Sequence, residues 1–200
     1  MILGITGPTG SGKTTLLNLI AQQGGLVLDC DTIYHRLLAT DGEMLDAIER
    51  RFPGVIADGI LDRKALGAIV FADPAALQDL NAITHTAVKK AVLAELAKDP
   101  KLAAIDAIGL FEGGLAPLCD VTVAVTAPEE QRIRRLMERD GITEEYARSR
   151  IAAQKPQEWF CSQCDRVLRN DADILSYSAK CLDFLKSLGI IYGSCVPHKE

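Results

Sequence analysis

Residues 1–21 read MILGITGPTGSGKTTLLNLIA. Ile2, Leu3 and Ile5 form an apolar run too short for a helix and suited to a buried strand. Gly7 ends it. From there the chain follows G-x-x-x-x-G-K-[ST] at every fixed position: Gly7, Pro8, Thr9, Gly10, Ser11, Gly12, Lys13 and Thr14, with Thr15 directly after. Leu16, Leu17, Leu19 and Ile20 then recur at helical spacing. The motif therefore stands between a strand and a helix, the context its chemistry requires. Glycines at 7, 10 and 12 let the backbone turn its N–H groups inward, and the helix N-terminus adds a positive end. Such a cradle suits the phosphates of a nucleoside triphosphate, read here as ATP bound by residues 7–15. Lys13 reaches the β- and γ-phosphates, and the Thr14 hydroxyl ligates Mg²⁺, a hard cation that prefers oxygen. This defines a binding site, not yet a reaction.

The rest of the composition bounds the setting. Two hundred residues, 48% hydrophobic and 24% charged, suit one soluble domain with a real core. A net charge of −5 argues against broad nucleic-acid binding. No apolar run approaches the ~18 residues a membrane span needs, and the first apolar run breaks at once into the phosphate motif instead of a signal peptide. A cytoplasmic monomer or weak homo-oligomer acting on a small molecule is expected. The six cysteines are Cys30, Cys119, Cys161, Cys164, Cys181 and Cys195. Cys161 and Cys164 form a lone C-x-x-C without a second pair, and His198 near the end supplies no clear further ligand, so free thiols are expected over a zinc site.

Along the chain, residues 24–31 (GGLVLDCD) read as a second strand ending in two aspartates, 103–113 as a third, 121–127 as a fourth and 166–170 as a weak fifth. Helical patterns fill the gaps: 32–39, 43–52, 61–71, Pro74 to about Ala97 with a bend near Thr84-His85-Thr86, 128–141, 143–154 and 171–189. No strand is evident in 41–100. Strands alternating with helices predict an α/β P-loop fold: a five-stranded parallel sheet with helices on both faces. Residues 1–40, 101–127 and 165–190 form its core, 41–100 an inserted helical substrate lobe and 128–156 a helical lid.

Several side chains suggest phosphoryl transfer. Asp31 follows the second strand, at the sheet edge that faces ligand in parallel sheets. It reads equally as a carboxylate that orients an attacking hydroxyl or as a cap on the helix from Thr32. Arg132, Arg135 and Arg139 share one helical face, with Arg148 and Arg150 on the next helix. Arginine suits the charge that develops on a transferring phosphoryl, although each could also pair with Glu129, Glu130 or Glu138. His85, on an amphipathic helix, is more readily a packed or surface histidine.

In order, ITGPTGSGKT, VLDCD, DGILDRKALGAIVFADPAALQDLNAITH, GLFEGGL and DVTVAVTAPEEQRIRRLMERDGITEEYARSRIAAQ resemble the dephospho-coenzyme A kinase family. The shared motifs are D-x-D, D-G-x-L-x-R, F-x-x-P, L-x-x-I-x-H, L-F-E, R-D and A-x-Q, over the chain to about residue 188. Thr86 and Ile108-Gly109 stand where the family usually has prolines. The resemblance implies phosphorylation of the ribose 3′-hydroxyl of dephospho-coenzyme A by MgATP. It assigns Asp31, Lys13 and Arg139 to catalysis, Arg135 and Arg139 to ATP, and Thr6, Asp31, Arg63, His85 and Glu112 to the acceptor. The rival readings are a kinase for another small molecule or nucleoside monophosphate, and a nucleotide-dependent switch with a zinc contact at the C-x-x-C.

Overall fold

The computed structural model describes residues 1–57 and 59–191; Cys195 and His198 lie outside the described residues. The elements run β1 (Ile2–Thr6), α1 (Lys13–Gln22), β2 (Leu26–Asp29), α2 (Cys30–Thr40), α3 (Gly42–Arg51), β3 (Ile56–Ala57), β4 (Ile60–Leu61), α4 (Arg63–Ala72), α5 (Pro74–Leu96), β5 (Ala103–Asp106), β6 (Val121–Thr126), α6 (Glu129–Asp140), α7 (Glu144–Ala152), α8 (Gln157–Gln163), β7 (Arg166–Arg169) and α9 (Ile174–Ser187).

Five of the strands form one sheet in the order β2-β5-β1-β6-β7, every neighbouring pair parallel. A parallel sheet needs cover on both faces, which makes its strands near-continuous apolar runs. Leu3, Ile5, Val123 and Val125 pack on one face against Leu16 and Ile20 of α1 and Tyr177 and Leu185 of α9. Ile105 and Leu28 pack on the other against Ile33 of α2 and Val88 and Val92 of α5. On that second face a Cβ at Gly4 would lie 2.7 Å from the Cys119 Sγ and 2.9 Å from the Leu110 Cδ2, so any larger residue would force those side chains to shift.

Residues 38–76 close a third core of their own, with Met44, Ile48, Phe52, Leu66 and Val70 buried, so the expected helical lobe has its own packing. It also holds a minimal antiparallel pair, β3 with β4, which corrects the expectation of no strand. Glu49 holds the backbone that leads into it: its carboxylate accepts from the N–H groups of Gly54 and Ile56. The expected bend in the long helix is likewise replaced by one unbroken α5. Thr86 donates its hydroxyl to the Ala82 carbonyl at 2.7 Å and keeps the backbone N–H that a proline would remove. The helix α8, around Trp159 and Phe160, had no periodic signal in so short a segment.

Candidate active site

The loop from Gly7 to Gly12 joins β1 to α1 at the C-terminal edge of the sheet. Gly7 has φ 132, and a Cβ there would strike the Val125 carbonyl. Gly12, φ 97, is the N-cap of α1 and a Cβ there would strike Asn170. Among the described residues the N–H groups of Gly10, Gly12, Lys13 and Thr14 have no hydrogen-bond acceptor, so the cradle presents free donors. Its outer side is braced. Arg132, 5% exposed, donates from Nε to the Thr9 carbonyl at 2.9 Å, and Gln154 accepts from the Thr9 N–H at 2.9 Å. Arg135 donates to the carbonyls of Gly10 and Ser11, and Asn170 donates to Ser11 at 2.9 Å while accepting from Arg135 at 3.1 Å.

In front of the loop lies a cleft of about 640 Å³. Residues 9–14, Asp31, Arg135 and Arg139 meet there, together with Asp29, Asp106, Arg150 and Gln154. Lys13 donates to the Gly7 carbonyl at 3.1 Å. Burial lowers its pKa, against the opposing pull of Asp106 and Asp31. Asp106 ends β5, paired in register with Asp29. Burial lifts its carboxyl to about 6, with Lys13 the main opposing influence, and its Oδ1 is buried without a partner. Asp31 is not at the strand tip: it occupies the first turn of α2, and the N-cap is Asp29.

A second cleft of about 250 Å³ runs from Asp31 toward the lobe, walled by Tyr34, Asn81, Thr84 and His85. It shares Asp31, Ala107 and Ile108 with the first. The remaining expected acceptor residues are dispersed. Thr6 is fully buried and donates to the Ile108 carbonyl at 3.2 Å. Arg63 is exposed at the start of α4, near enough to Tyr34 to oppose the burial that raises that phenol's pKa. Glu112 lines a separate cavity with Lys155 and Phe160. Thr15 faces a third hollow, with Arg134, Asn170, Ala172 and Ile174, whereas Gly7 and Pro8 shape the loop without lining the clefts.

The Thr14 hydroxyl and the Asp31 carboxylate are hard oxygen donors on one cleft, and the Oδ1 of Asp106 is buried there without a partner; the Asp29 carboxylate is taken up by the cap of α2. This set fits Mg²⁺, which takes few protein ligands alongside substrate phosphates. No group of three or more His, Cys, Asp or Glu that could hold a metal by itself occurs among the described residues. The described cysteines are free thiols.

A sequence profile for dephospho-CoA kinase matches residues 1–176. The chain belongs to the dephospho-CoA kinase family. A dephospho-CoA kinase of Anaeromyxobacter dehalogenans is 39% identical over 175 residues, covering 84% of this chain and 83% of the relative. A crystal structure of a Thermus thermophilus protein superposes with a TM-score of 0.80 at 34% identity, over 96% of this chain and 98% of that one. The dephospho-CoA kinase of Campylobacter jejuni shares the fold, with a TM-score of 0.67 at 23% identity over 94% and 96%. Dephospho-CoA kinases are phosphotransferases of the final step of coenzyme A biosynthesis, and the α/β P-loop fold with its five parallel strands is theirs. No helix among the described residues is long and apolar enough to cross a membrane.

Sequence reasoning missed Asp106 and Asn170, and it placed Arg132 on one face with Arg135 and Arg139 without showing that it braces Thr9 from within. Gln154 had a local signal, as the last residue of A-x-Q. Asp106 ends an apolar strand and Asn170 follows a weak one, and neither shows its distant partner in the sequence.

Proposed function

We propose that this chain transfers the γ-phosphoryl of MgATP to the ribose 3′-hydroxyl of dephospho-CoA, with Asp31 as the residue on which donor and acceptor meet. One observation carries the reading: Asp31 lines both the phosphate cleft and the neighbouring lobe cleft. A hydroxyl entering from the lobe side would then reach the γ-phosphate beside this carboxylate.

Phosphoryl transfer passes through a loose transition state, so the work is chiefly positioning and charge neutralisation. The free N–H groups of the loop and Lys13 hold the β- and γ-phosphates. Thr14 holds Mg²⁺, which when bound neutralises charge on those phosphates. Asp31 accepts a hydrogen bond from the acceptor hydroxyl, keeps its lone pair aimed in line, and takes the proton late. Arg139 stabilises the transferring phosphoryl, while Arg135 supports the loop from behind and reaches the donor side. The hollow beyond Gly12, between Arg134 and Ile174, suits the adenine base. In the lobe, His85 stands on the wall that receives the acceptor, with Arg63 toward its outer end. Thr6 acts through the Ile108 carbonyl, and Glu112 borders the adjoining cavity. The loss of water as α6 and α7 cover the phosphates favours transfer over hydrolysis. This reading places the enzyme in the cytoplasm, with its ATP supply.

Product identification by mass spectrometry tests it. Incubation with MgATP and dephospho-CoA should give coenzyme A and ADP in equal amounts, and adenosine or nucleoside monophosphates should remain unphosphorylated. ADP without coenzyme A would reject the acceptor.

A further inference from the structure

Asp140 closes α6 with a negative charge at the end where the helix dipole favours a cation. It does not cap the helix. Gly141, φ 64, does that, with its N–H on the Met137 carbonyl at 3.0 Å. The carboxylate instead joins two arginines from two helices. Arg139 of α6 donates from Nε to Oδ1 at 2.6 Å and from Nη2 to Oδ2 at 2.9 Å. Arg150 of α7 donates from Nη1 to the same Oδ2 at 2.6 Å. Both arginines line the phosphate cleft, and they hold the Asp140 carboxyl down at about 2.

Two features separate this group from ordinary surface pairing. First, one carboxylate serves two guanidiniums, so Arg139, Arg150 and Asp140 together carry one net positive charge, with Glu138 lining the same cleft. Arg148, on the far side of α7, shows the opposite ratio: it pairs with Glu129, Glu130 and Glu144 and does not line the cleft. Second, Asp140 uses only part of each fork. Among the described residues, Nη1 of Arg139 and Nε and Nη2 of Arg150 make no hydrogen bond. Two unpaired guanidiniums would repel each other and sample many rotamers, whereas the bidentate pairing of Arg139 fixes the plane of its fork and the single bond from Arg150 ties the second guanidinium to the same carboxylate.

We propose that Asp140 is a positioning residue, which holds Arg139 and Arg150 side by side so that their free N–H groups converge on the transferring phosphoryl. The inference rests on the assignment of Arg139 to that group. Asp140 itself does not line the cleft, and it contributes by preparing the geometry in advance of binding.

The test compares Asp140→Ala in the wild-type protein and in an Arg139→Ala/Arg150→Ala background, with kcat, both KM values and the melting temperature measured. In the wild type, kcat should fall about tenfold or more with both KM values held within about threefold, and Asp140→Glu should recover part of the loss. In the double-arginine background the same substitution should change kcat less than about twofold, because coupled residues are not additive. An equal loss in both backgrounds would mark Asp140 as merely structural and overturn the proposal, as would an unchanged kcat in the wild type. Full activity of the double-arginine variant itself would instead remove the underlying assignment of Arg139. Should Asp140→Ala fail to fold, the isosteric Asp140→Asn is measured in the same two backgrounds and judged by the same outcomes.

Discussion

Asp29 caps the backbone that carries Asp31. Its Oδ1 accepts from the N–H of Asp31 at 2.9 Å and of Thr32 at 3.1 Å, while Oδ2 accepts from the Thr32 hydroxyl at 2.8 Å. The two aspartates of the D-x-D therefore divide the labour, one holding the first turn of α2 and the other facing both clefts. Asp31→Asn should lower kcat by ~10²- to 10⁴-fold, the usual range for a positioned acid or base, with the melting temperature unchanged. Asp29→Ala should destabilise the protein by ~1 kcal/mol as a lost N-cap, and lower kcat far less. Steady-state kinetics with urea melts on both variants checks the division. Equal kinetic losses at equal stability would merge the two roles.

Asn170 connects the end of β7 to the phosphate loop through two side-chain bonds, one to the Ser11 carbonyl and one from Arg135. It is 4% exposed, so water does not readily replace either bond. Asn170→Ala should cost ~1–3 kcal/mol of stability, the penalty for leaving buried polar partners unmade. It should also raise the KM for ATP more than the KM for the acceptor, because the loosened element is the donor cradle. Denaturant unfolding and initial rates at varied ATP would show both effects. A stability loss without a change in the ATP KM would reject the link to the cradle.

Asp106 should leave a pH signature in the nucleotide-free protein. Burial lifts its folded-state pKa from 3.8 to about 6, so the native state keeps a proton that the unfolded chain has already released. Its contribution to stability is full below pH ~4 and is lost as pH rises toward ~6, a change on the order of 3 kcal/mol by linkage. Urea unfolding of the wild type and Asp106→Asn across this window isolates the term. The difference in stability between the two proteins should shift in the variant's favour as pH rises, then level off above pH ~7. A constant difference across the window would show that Asp106 does not titrate there.

The architecture was legible because its signals are local. The apolar runs at Ile2, Val27 and Val121, each followed closely by a helical period, specify parallel strands at short range. The phosphate loop was equally plain, since its glycines and Lys13 are contiguous. Asp31 could be found but not oriented: only the folded first turn of α2 shows that Asp29 takes the cap and leaves Asp31 free. Asp106 and Asn170 were opaque for another reason. Their meaning lies in contacts with Lys13, Ser11 and Arg135 across the sheet edge, many residues away. The same holds for Arg132, which shares its helical face with Arg139 yet is buried against Thr9 while Arg139 stays open to the cleft. Spacing gives a face, whereas burial along that face depends on what the loop presses against it.

The long helix α5 belongs to two cores at once. Ala76 lies in the core of the lobe, whereas Val88 and Val92 are packed beneath the sheet, and His85 and Asn81 sit between them on the second cleft. Such a helix is a beam clamped at one end. With ~24 Å from Val92 to Ala76 along the axis, a tilt of roughly 5° at the clamp displaces the far end by about 2 Å. At His85 and Asn81, about 10 and 16 Å from Val92, the same tilt would move the wall of the second cleft by about 1 Å, a leverage set by two valines under the sheet, well away from the phosphate loop.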